Sequence, residues 1–516
     1  KEELPGAELM ASLRPERLTA SGNVVIASPE GEGRLRNELT VKFEDGTPPG
    51  GIQPVSATEV TKDPPAADDS EASTEAFSLG ADAADAVVKL DPTGEGKGMP
   101  PYTVWLNGDV KVERKSADKM DDFVATGNQL RMESNAPNER SLQLFGDPAR
   151  VIGETRNMQG TRIDLSEEDG KAEIPSSGRI RFVTTKGFDG RDLPEPTPID
   201  IYWSENMRFH ERHAEFFGKT RVVMSDGKTQ DIELQCMGLT VYFSEDLSFE
   251  KEQDGALAAI ASSTSDKKAK ESPIERIECH NKVEVNVDQY EAGSVIGRHK
   301  AVFADLKVNM TTGDFHALGW GYLQSVSPDK EGKLQGSSPV SARANTPSQT
   351  RDTAFVYLKA EFVGSISGNI DRREATLSDH VVAMMSPVRR VDEQPDLESI
   401  PTEELPERAG IMRGDTITFG AIWGTSDTAT SFSMNCRKNA SLESRNIAAS
   451  ADVITYDHSK EQFIIRAEGK NRVDVNYRTG RAGQFDRVSG SRFEYYRKTD
   501  QLAGDKIGGL NRFIEE

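Results

Sequence analysis

Near the N terminus, the stretch ASGNVVIASPEGEGRLRNELTVKFED places apolar side chains at every second position. Val24 and Ile26 belong to a first run, and Leu39, Val41 and Phe43 belong to a second. Successive side chains of a β-strand point to opposite faces, so a period of two gives a strand with one apolar face. A lone hairpin is marginal in water. The pattern therefore predicts hairpins that pack on further hairpins.

The same phase returns along the chain, counted from a marker residue. Apolar residues follow Gly22, Gly108, Asn281 and Gly469 mostly at even offsets, and the stretches AEFFG and AEFVG repeat one another. Val, Ile and Leu side chains are each worth roughly 1.5 to 3 kcal/mol when buried. We predict one shared, water-shielded face formed by Val24, Ile26, Leu39, Val41, Phe43, Val110, Val112, Leu239, Val241, Phe243, Val283, Val285, Phe362, Val473 and Val475.

The fold class expected from this pattern is all-β, with repeated antiparallel hairpins that form β-jelly-roll or β-taco (solenoid-like) arrays joined by long acidic linkers. Only the Ala-rich stretch from Ala81 to Leu90 suggests a helix. Segments rich in Pro, Gly, Ser and acidic residues mark the linkers. The expected organisation is strands at 1–45, an acidic Pro/Ala-rich insertion at 46–100, a β array at 101–250, a linker at 251–273, hairpins at 274–325, a linker at 326–350, hairpins at 351–390, a linker at 391–410 and a C-terminal β array at 411–516.

Charge and hydropathy limit the partners. The formal net charge is -22, which argues against nucleic acid because phosphate binding needs clustered Lys and Arg. No run approaches the roughly 20 apolar residues that cross a bilayer, so this part of the chain is expected to be soluble. Because the sequence starts at Lys1 rather than Met, removal of an N-terminal leader or anchor fits it.

Two packed faces with methyl-rich walls leave two alternatives open. Their side chains either fill the space completely, as in a structural β-solenoid scaffold, or leave a slot that accepts acyl chains. Period-two patterning by itself favours the filled core. Both alternatives use the same inner residues, and the sequence does not choose between them.

The region SADVITYDHSKEQFIIRAEGKNRVDV, from Ser450 to Val475, resembles the OstA/LptA-like family of lipopolysaccharide-transport proteins. Ala451-Asp452, Tyr456 and Gly469 match the order of the family's repeat, and looser copies extend the resemblance over about three-quarters of the chain. The resemblance implies a taco-like fold, a periplasmic location and a non-enzymatic bridge that carries lipopolysaccharide or a related lipid. It also implies partner β-jelly-roll proteins that join through edge strands.

Catalytic and metal sites are not expected, and neither is a cofactor. His210 and His213 lie three apart, which puts them on opposite faces if they share one strand. No G-x-S-x-G motif is present. The enzymatic alternative is a polysaccharide-active β-helix, which would require a cluster of Asp, Lys or Arg that does not recur. Trp320 is expected to cap a core.

Cysteine and basic residues add two further expectations. Cys236 and Cys279 lie in strands that are expected to be neighbours, which allows a disulfide in an oxidising compartment. An anionic lipid headgroup would favour basic residues near strand ends. The candidates are Arg221, Lys282, Arg389, Arg390 and Arg472.

Overall fold

The computed structural model describes residues 17–21, 24–28, 31–44, 76–89, 102–115, 123–134, 140–153, 156–166, 171–186, 192–210, 212–243, 274–329, 355–423, 429–478, 484–505 and 508–514. The predicted all-β class is confirmed, because these residues form strands and two short 3-10 turns, Leu397–Ser399 and Thr402–Glu404. The strand pairs with a defined register are antiparallel, except that β3 and β4 run parallel.

The described residues form thirty-two strands. In chain order they are β1 (Arg17–Ser21), β2 (Val24–Ser28), β3 (Gly31–Glu44), β4 (Ala76–Lys89), β5 (Tyr102–Lys115), β6 (Phe123–Ser134), β7 (Arg140–Gly153), β8 (Arg156–Ser166), β9 (Lys171–Ile174), β10 (Gly178–Lys186), β11 (Asp192–Trp203), β12 (Met207–His210), β13 (His213–Ser225), β14 (Gln230–Phe243), β15 (Ile274–His280) and β16 (Val283–Glu291). The others are β17 (Ser294–Phe303), β18 (Asp305–Asn309), β19 (Asp314–Leu318), β20 (Gly321–Pro328), β21 (Phe355–Phe362), β22 (Ser365–Asn369), β23 (Glu374–Val388), β24 (Gly410–Trp423), β25 (Ala429–Ser444), β26 (Ile447–Asp457), β27 (Gln462–Arg466), β28 (Val473–Arg478), β29 (Gln484–Gly490), β30 (Arg492–Tyr496), β31 (Gln501–Asp505) and β32 (Gly508–Ile514).

The Ala-rich stretch Ala81 to Leu90, which suggests a helix, forms a strand instead, because Ala76–Lys89 is β4. It pairs with β3 on one side and β5 on the other. Alanine favours helices intrinsically, but ladder hydrogen bonds from two neighbouring strands override that weak preference.

The chain divides into two compact units. One contains residues 1–183, 200–220 and 242–273, and the other contains residues 184–199, 221–241 and 274–516. The predicted hairpin groups at 274–325, 351–390 and 411–516 therefore fall in one unit, which we call the C-terminal unit.

The C-terminal unit is built from strands that bend in the middle, so that each half joins a different sheet. The first half of β23 pairs with β22, whereas its second half pairs with β21. Sheet 1 contains β16, β17, β20, β21, β28 and β29, and sheet 2 contains β15, β18, β19, β22, β27 and β30. The bent strands β23 to β26 contribute to both sheets.

Two of the marker residues, Asn281 and Gly469, lie at corners where the chain passes between sheets, as does Gly319, whereas Gly108 lies within β5. Gly319 (φ 83°) and Gly469 (φ 67°) separate strands of opposite sheets. Asn281 (φ 57°), which takes the place of a marker glycine, also has a positive φ. Asparagine tolerates this left-handed conformation better than most residues, and glycine adopts it without strain. The corner requirement explains why the strand phase is counted from these residues.

The inner face of sheet 2 is a continuous ladder of buried side chains. Directly paired positions along it are Ile366, Leu377, Ile417, Cys436, Ile454, Ile465 and Phe493, and each is at most 1% exposed. Tyr477 of sheet 1 contacts Tyr495 of sheet 2, with ring centroids 6.2 Å apart. The core of the unit therefore lies between the two sheets.

Residues 391–410, which the composition suggests as a linker, are packed against the outer face of sheet 1. Leu397 and Leu405 are 0% and 1% exposed and lie in a cluster with Met384 and Ile411. Val391 packs on a second outer cluster that contains Tyr357. We call residues 389–409 the covering segment. The predicted linker at 326–350 is wrong at its start, because residues 326–328 belong to β20 and Val326 is buried, and the predicted insertion at 46–100 contains strand β4. Residues 330–350, the 251–273 linker and residues 46–75 of the insertion lie outside the described residues.

Candidate functional site

The predicted inner residues divide into three groups. The strands that carry Val24, Ile26, Leu39, Val41 and Phe43 are placed, but their side chains lie outside the described residues. Most of the others are at most 6% exposed, and Phe243 and Val285 are half-buried. The buried members are Val110, Val112, Leu239, Val241, Val283, Phe362, Val473 and Val475.

The inner face of sheet 1 is closely packed toward the C terminus. Ala383, Met412, Leu442, Ala449 and Val475 form one row of paired positions, and none exceeds 5% exposure. A side chain this buried has no space for a further hydrocarbon beside it. The β23 to β28 part of the interior is therefore filled by its own side chains.

The same face is open toward β14. Six apolar inner positions on β14, β16, β17, β20 and β21 are half-buried rather than buried. We call this surface the trough, and it is lined by Ile232, Val285, Val287, Ala301, Leu323 and Leu358. The register places these side chains on one face, in two adjacent rows. On sheet 2, the paired residues Val308 and Phe315 are half-buried as well.

One polar pair interrupts the trough. His299 lies between Val287 and Ser325 in the register, and its Nδ1 is 2.9 Å from the Ser325 hydroxyl. The other ring nitrogen, Nε2, is buried and has no hydrogen-bond partner among the residues that the structure describes. Burial lowers the pKa of His299, and the nearby charge of Asp288 opposes that shift. The imidazole is therefore neutral near pH 7.

A polar cluster joins the strand ends of the two sheets in the filled part of the unit. Arg408, just before β24 of sheet 1, donates to Asp329 at 3.3 Å and also to Glu461 in the turn that follows β26 in sheet 2. Arg497 donates to the Tyr456 hydroxyl at 2.9 Å. Asp329 has a side chain only 2% exposed. We call Asp329, Arg408, Tyr456, His458, Glu461 and Arg497 the rim cluster.

Aromatic packing completes the rim cluster. His458 stacks on Phe432 with centroids 4.5 Å apart, and its Nδ1 is 3.1 Å from the Tyr456 hydroxyl. Burial raises the pKa of Tyr456 and lowers that of His458. Both groups are therefore neutral near pH 7, so the cluster's charge comes from its arginines and acids.

His210 and His213 do not lie on opposite faces of one strand, contrary to the prediction from their spacing. The two residues lie on adjacent strands, β12 and β13, directly opposite one another in the register. Their rings are 5.9 Å apart, and His213 is also 5.9 Å from the Tyr242 ring. Among the described residues, no group of three or more His, Cys, Asp or Glu side chains is placed to hold a metal ion.

The three cysteines are free and buried. Cys236 and Cys279 are neighbours, as the sequence suggests, but their thiols share a hydrogen bond rather than a disulfide. That hydrogen bond, together with burial, raises the pKa of Cys279. Burial raises the pKa of Cys436 to about 12.

The basic candidates do not converge on one site. Arg221 pairs with Glu233, and Arg390 pairs with Asp392. Arg472 lines an open, mainly polar surface cavity of about 520 Å³ together with Asn439, Ala440, Ser441, Ser450, Ala451, Asp452, Asn471 and Asp474. These contacts do not form an anion site at the trough.

Trp320 does not cap a core. Its side chain is 61% exposed, and the neighbouring corner residue Val363 is 58% exposed. Corners turn side chains away from both inner faces, so an aromatic residue there meets solvent. A prediction from local sequence lacks the corner geometry that decides this.

Comparisons with protein-family models, curated proteins and solved structures return no significant match. The likeness to OstA/LptA-like repeats therefore stays a prediction. The structure contains, over the residues that it describes, no helix with the length and apolarity to span a membrane.

Sequence reasoning missed most of the trough. Val285 is the predicted inner residue that lies in it, whereas Ile232, Ala301, Leu323 and Leu358 were not selected. Val287 has the correct phase in the sequence. Strand parity could have found these positions, because each lies two residues from another inner position. Strand parity does not indicate how far apart the two sheets lie at these positions.

Proposed function

We propose that the protein is a non-enzymatic lipid-binding and transport bridge, whose trough holds acyl chains of a lipopolysaccharide-like lipid in the periplasm. The observation that carries this proposal is the half-buried apolar trough next to a filled interior. Five neighbouring strands at about 4.8 Å spacing span roughly 19 Å. This width of the trough exceeds the ~15 Å thickness of one leaflet, which is half of the ~30 Å hydrocarbon core of a bilayer.

Physical chemistry supports this use of the trough. Each methylene removed from water contributes about 0.8 kcal/mol. An acyl chain that lies across the methyl-rich strands of the trough therefore binds without any covalent chemistry. Edge strands offer unpaired backbone groups for strand addition. We propose that further β-jelly-roll proteins join the array in this way and extend its inner surface.

A structural scaffold is the second candidate function. It is favoured by the inner residues of β23 to β28, which are almost completely buried. A scaffold of this kind would retain no lipid, because its interior would already be full.

Site-specific photo-crosslinking tests the two candidates. A benzophenone amino acid at Leu323 lies on the trough face, and one at Gln324 lies on the opposite face of the same strand. We expect lipid adducts in cells from position 323 and few from position 324. Equal labelling at the two positions, or no lipid adduct at position 323, would contradict lipid binding in the trough and favour the scaffold.

A further inference from the structure

His299 is a polar residue in an apolar row. Its cross-strand neighbours on the inner face begin with Val287 and continue through Ser325 to Leu358. Ala301, two residues along β17, lies on the same face. A histidine at this place costs burial energy unless both ring nitrogens are hydrogen-bonded.

Within the described part of the chain, one of its two ring nitrogens has a hydrogen-bond partner and the other has none. Nδ1 contacts the Ser325 hydroxyl at 2.9 Å, whereas Nε2 is buried and unpaired. A buried polar atom without a partner is costly and rare in folded proteins. The unpaired Nε2 therefore marks a position where a hydrogen-bonding group is missing.

The surroundings of Nε2 leave a place for such a group. Gly297 lies two residues from His299 on the same strand, on the side away from Ala301, and a Cβ placed there would lie 3.5 Å from Nε2. The same Cβ would lie 2.9 Å from Oε1 of Gln289, the end of a flexible and exposed side chain. Rotation of Gln289 therefore opens a path to Nε2 without any movement of the backbone.

We infer that His299 Nε2 hydrogen-bonds an uncharged polar group of the ligand in the trough, so that the ligand is an amphiphile whose acyl chain carries a hydroxyl. This inference rests on the proposed function. A hydroxyl both donates and accepts, so it satisfies Nε2 in either tautomer of a neutral ring. A carbonyl satisfies it only when Nε2 carries the proton.

Two ligands with the same number of heavy atoms test the inference, dodecan-1-ol and tridecane. Their dissociation constants are measured by displacement of a fluorescent apolar probe from the full chain. The ratio of the two dissociation constants is compared between the unchanged protein and each variant. The difference in water solubility between the two ligands is the same in every protein and therefore cancels. We expect His299→Phe to shift this ratio about tenfold toward tridecane, the effect of one buried hydrogen bond.

Three further variants show whether a shift in the ratio comes from the lost hydrogen bond or from a general change in the trough. His316→Phe changes an exposed histidine on β19 and is expected to leave the ratio unchanged. Gly297→Val retains His299 but fills the space beside Nε2, and it is expected to shift the ratio as His299→Phe does. Ala301→Leu fills the trough and is expected to weaken both ligands at least tenfold.

The outcomes distinguish the inference from the proposed function. If the ratio stays within twofold in both folded variants, His299→Phe and Gly297→Val, the role of His299 is overturned while the trough stands. If Ala301→Leu binds both ligands like the unchanged protein, the chain lies elsewhere and the inference is overturned as well. Failure of the Leu323 crosslink removes the proposed function itself.

Discussion

At the scale of single residues, Arg408 makes the contact that joins the ends of the two sheets. It reaches the buried carboxylate of Asp329 and also Glu461 in the turn of the other sheet. An acid with a side chain only 2% exposed cannot exchange its partner for water. The guanidinium matches two carboxylates at once, which a lysine could not do with the same geometry.

Replacement of Arg408 should therefore be costly. We expect Arg408→Met to lower the free energy of unfolding by about 2–4 kcal/mol, because the buried carboxylate of Asp329 loses the positive charge of Arg408. Urea denaturation measures the change. Arg445→Met is the control, since Arg445 pairs with the exposed Glu407, and a loss below about 1 kcal/mol is expected. Equal losses in both variants would contradict the role of Arg408.

The buried thiols give a second residue-scale prediction. Thiolate is the reactive form, and the pKa of Cys436 is raised to about 12, so little thiolate exists at pH 8. We expect Cys436 in the native protein to react with a disulfide reagent at least about a hundredfold more slowly than in the urea-unfolded protein, in which all three cysteines should titrate. Rapid native reaction of Cys436 would show that the interior opens readily.

At the scale of elements, the covering segment packs on sheet 1 although its apolar residues follow no strand or helix period. It carries a few apolar residues, among them Leu397, Ile400 and Leu405, between acidic and proline residues. Their spacing follows two 3-10 turns rather than a strand or an α-helix. These few side chains cover the outer face of sheet 1 near β21 and β23.

Truncation within the covering segment tests its contribution. Leu397→Ala removes a side chain that is 0% exposed, and we expect a loss of about 2–5 kcal/mol from transfer and cavity terms. Leu318→Ala serves as the control, because Leu318 is 55% exposed, and a change within about 0.5 kcal/mol is expected. A Leu397→Ala variant with unchanged thermal stability would mean that the segment is only loosely attached.

At the scale of the whole molecule, the two compact units share the chain between residues 184 and 273 in alternating pieces. Residues 221–241, which belong to the C-terminal unit, include the half of β14 that pairs with β16. A cut after residue 273 therefore separates β16 from its partner strand, although 251–273 has the composition of a linker.

Fragments make this testable. We expect the fragment 184–516 to associate less than the fragment 274–516, because it retains all pieces of the C-terminal unit, including the half of β14 that pairs with β16. The fragment 274–516 lacks β14 and leaves the edge of β16 unpaired, so we expect it to associate into larger species. Size-exclusion chromatography with light scattering compares the two fragments. Monomeric behaviour of both would show that β14 is dispensable.

Local sequence was informative wherever a strict local rule applied. The alternation at Val283, Val285 and Val287 predicted a common face, and the register confirms it. The marker positions Asn281 and Gly469, from which the strand phase was counted, lie at corners because few residues accept a positive φ. The helix at 81–90 failed because its strand is set by two neighbours distant in sequence. His210 and His213 were placed on one strand because a turn as short as theirs is not recognisable from composition.

The sequence by itself determined that this chain forms strands with one apolar face, and where it turns from one sheet to the other, because side-chain alternation and the left-handed conformation are local constraints. Only the tertiary structure decided which stretch of that apolar face is filled and which is open. Exposure at Val285 and at Val475 depends on the distance between two sheets and on the side chains that meet across it, so two identical local patterns give a half-buried trough residue in one place and a fully buried core residue in the other.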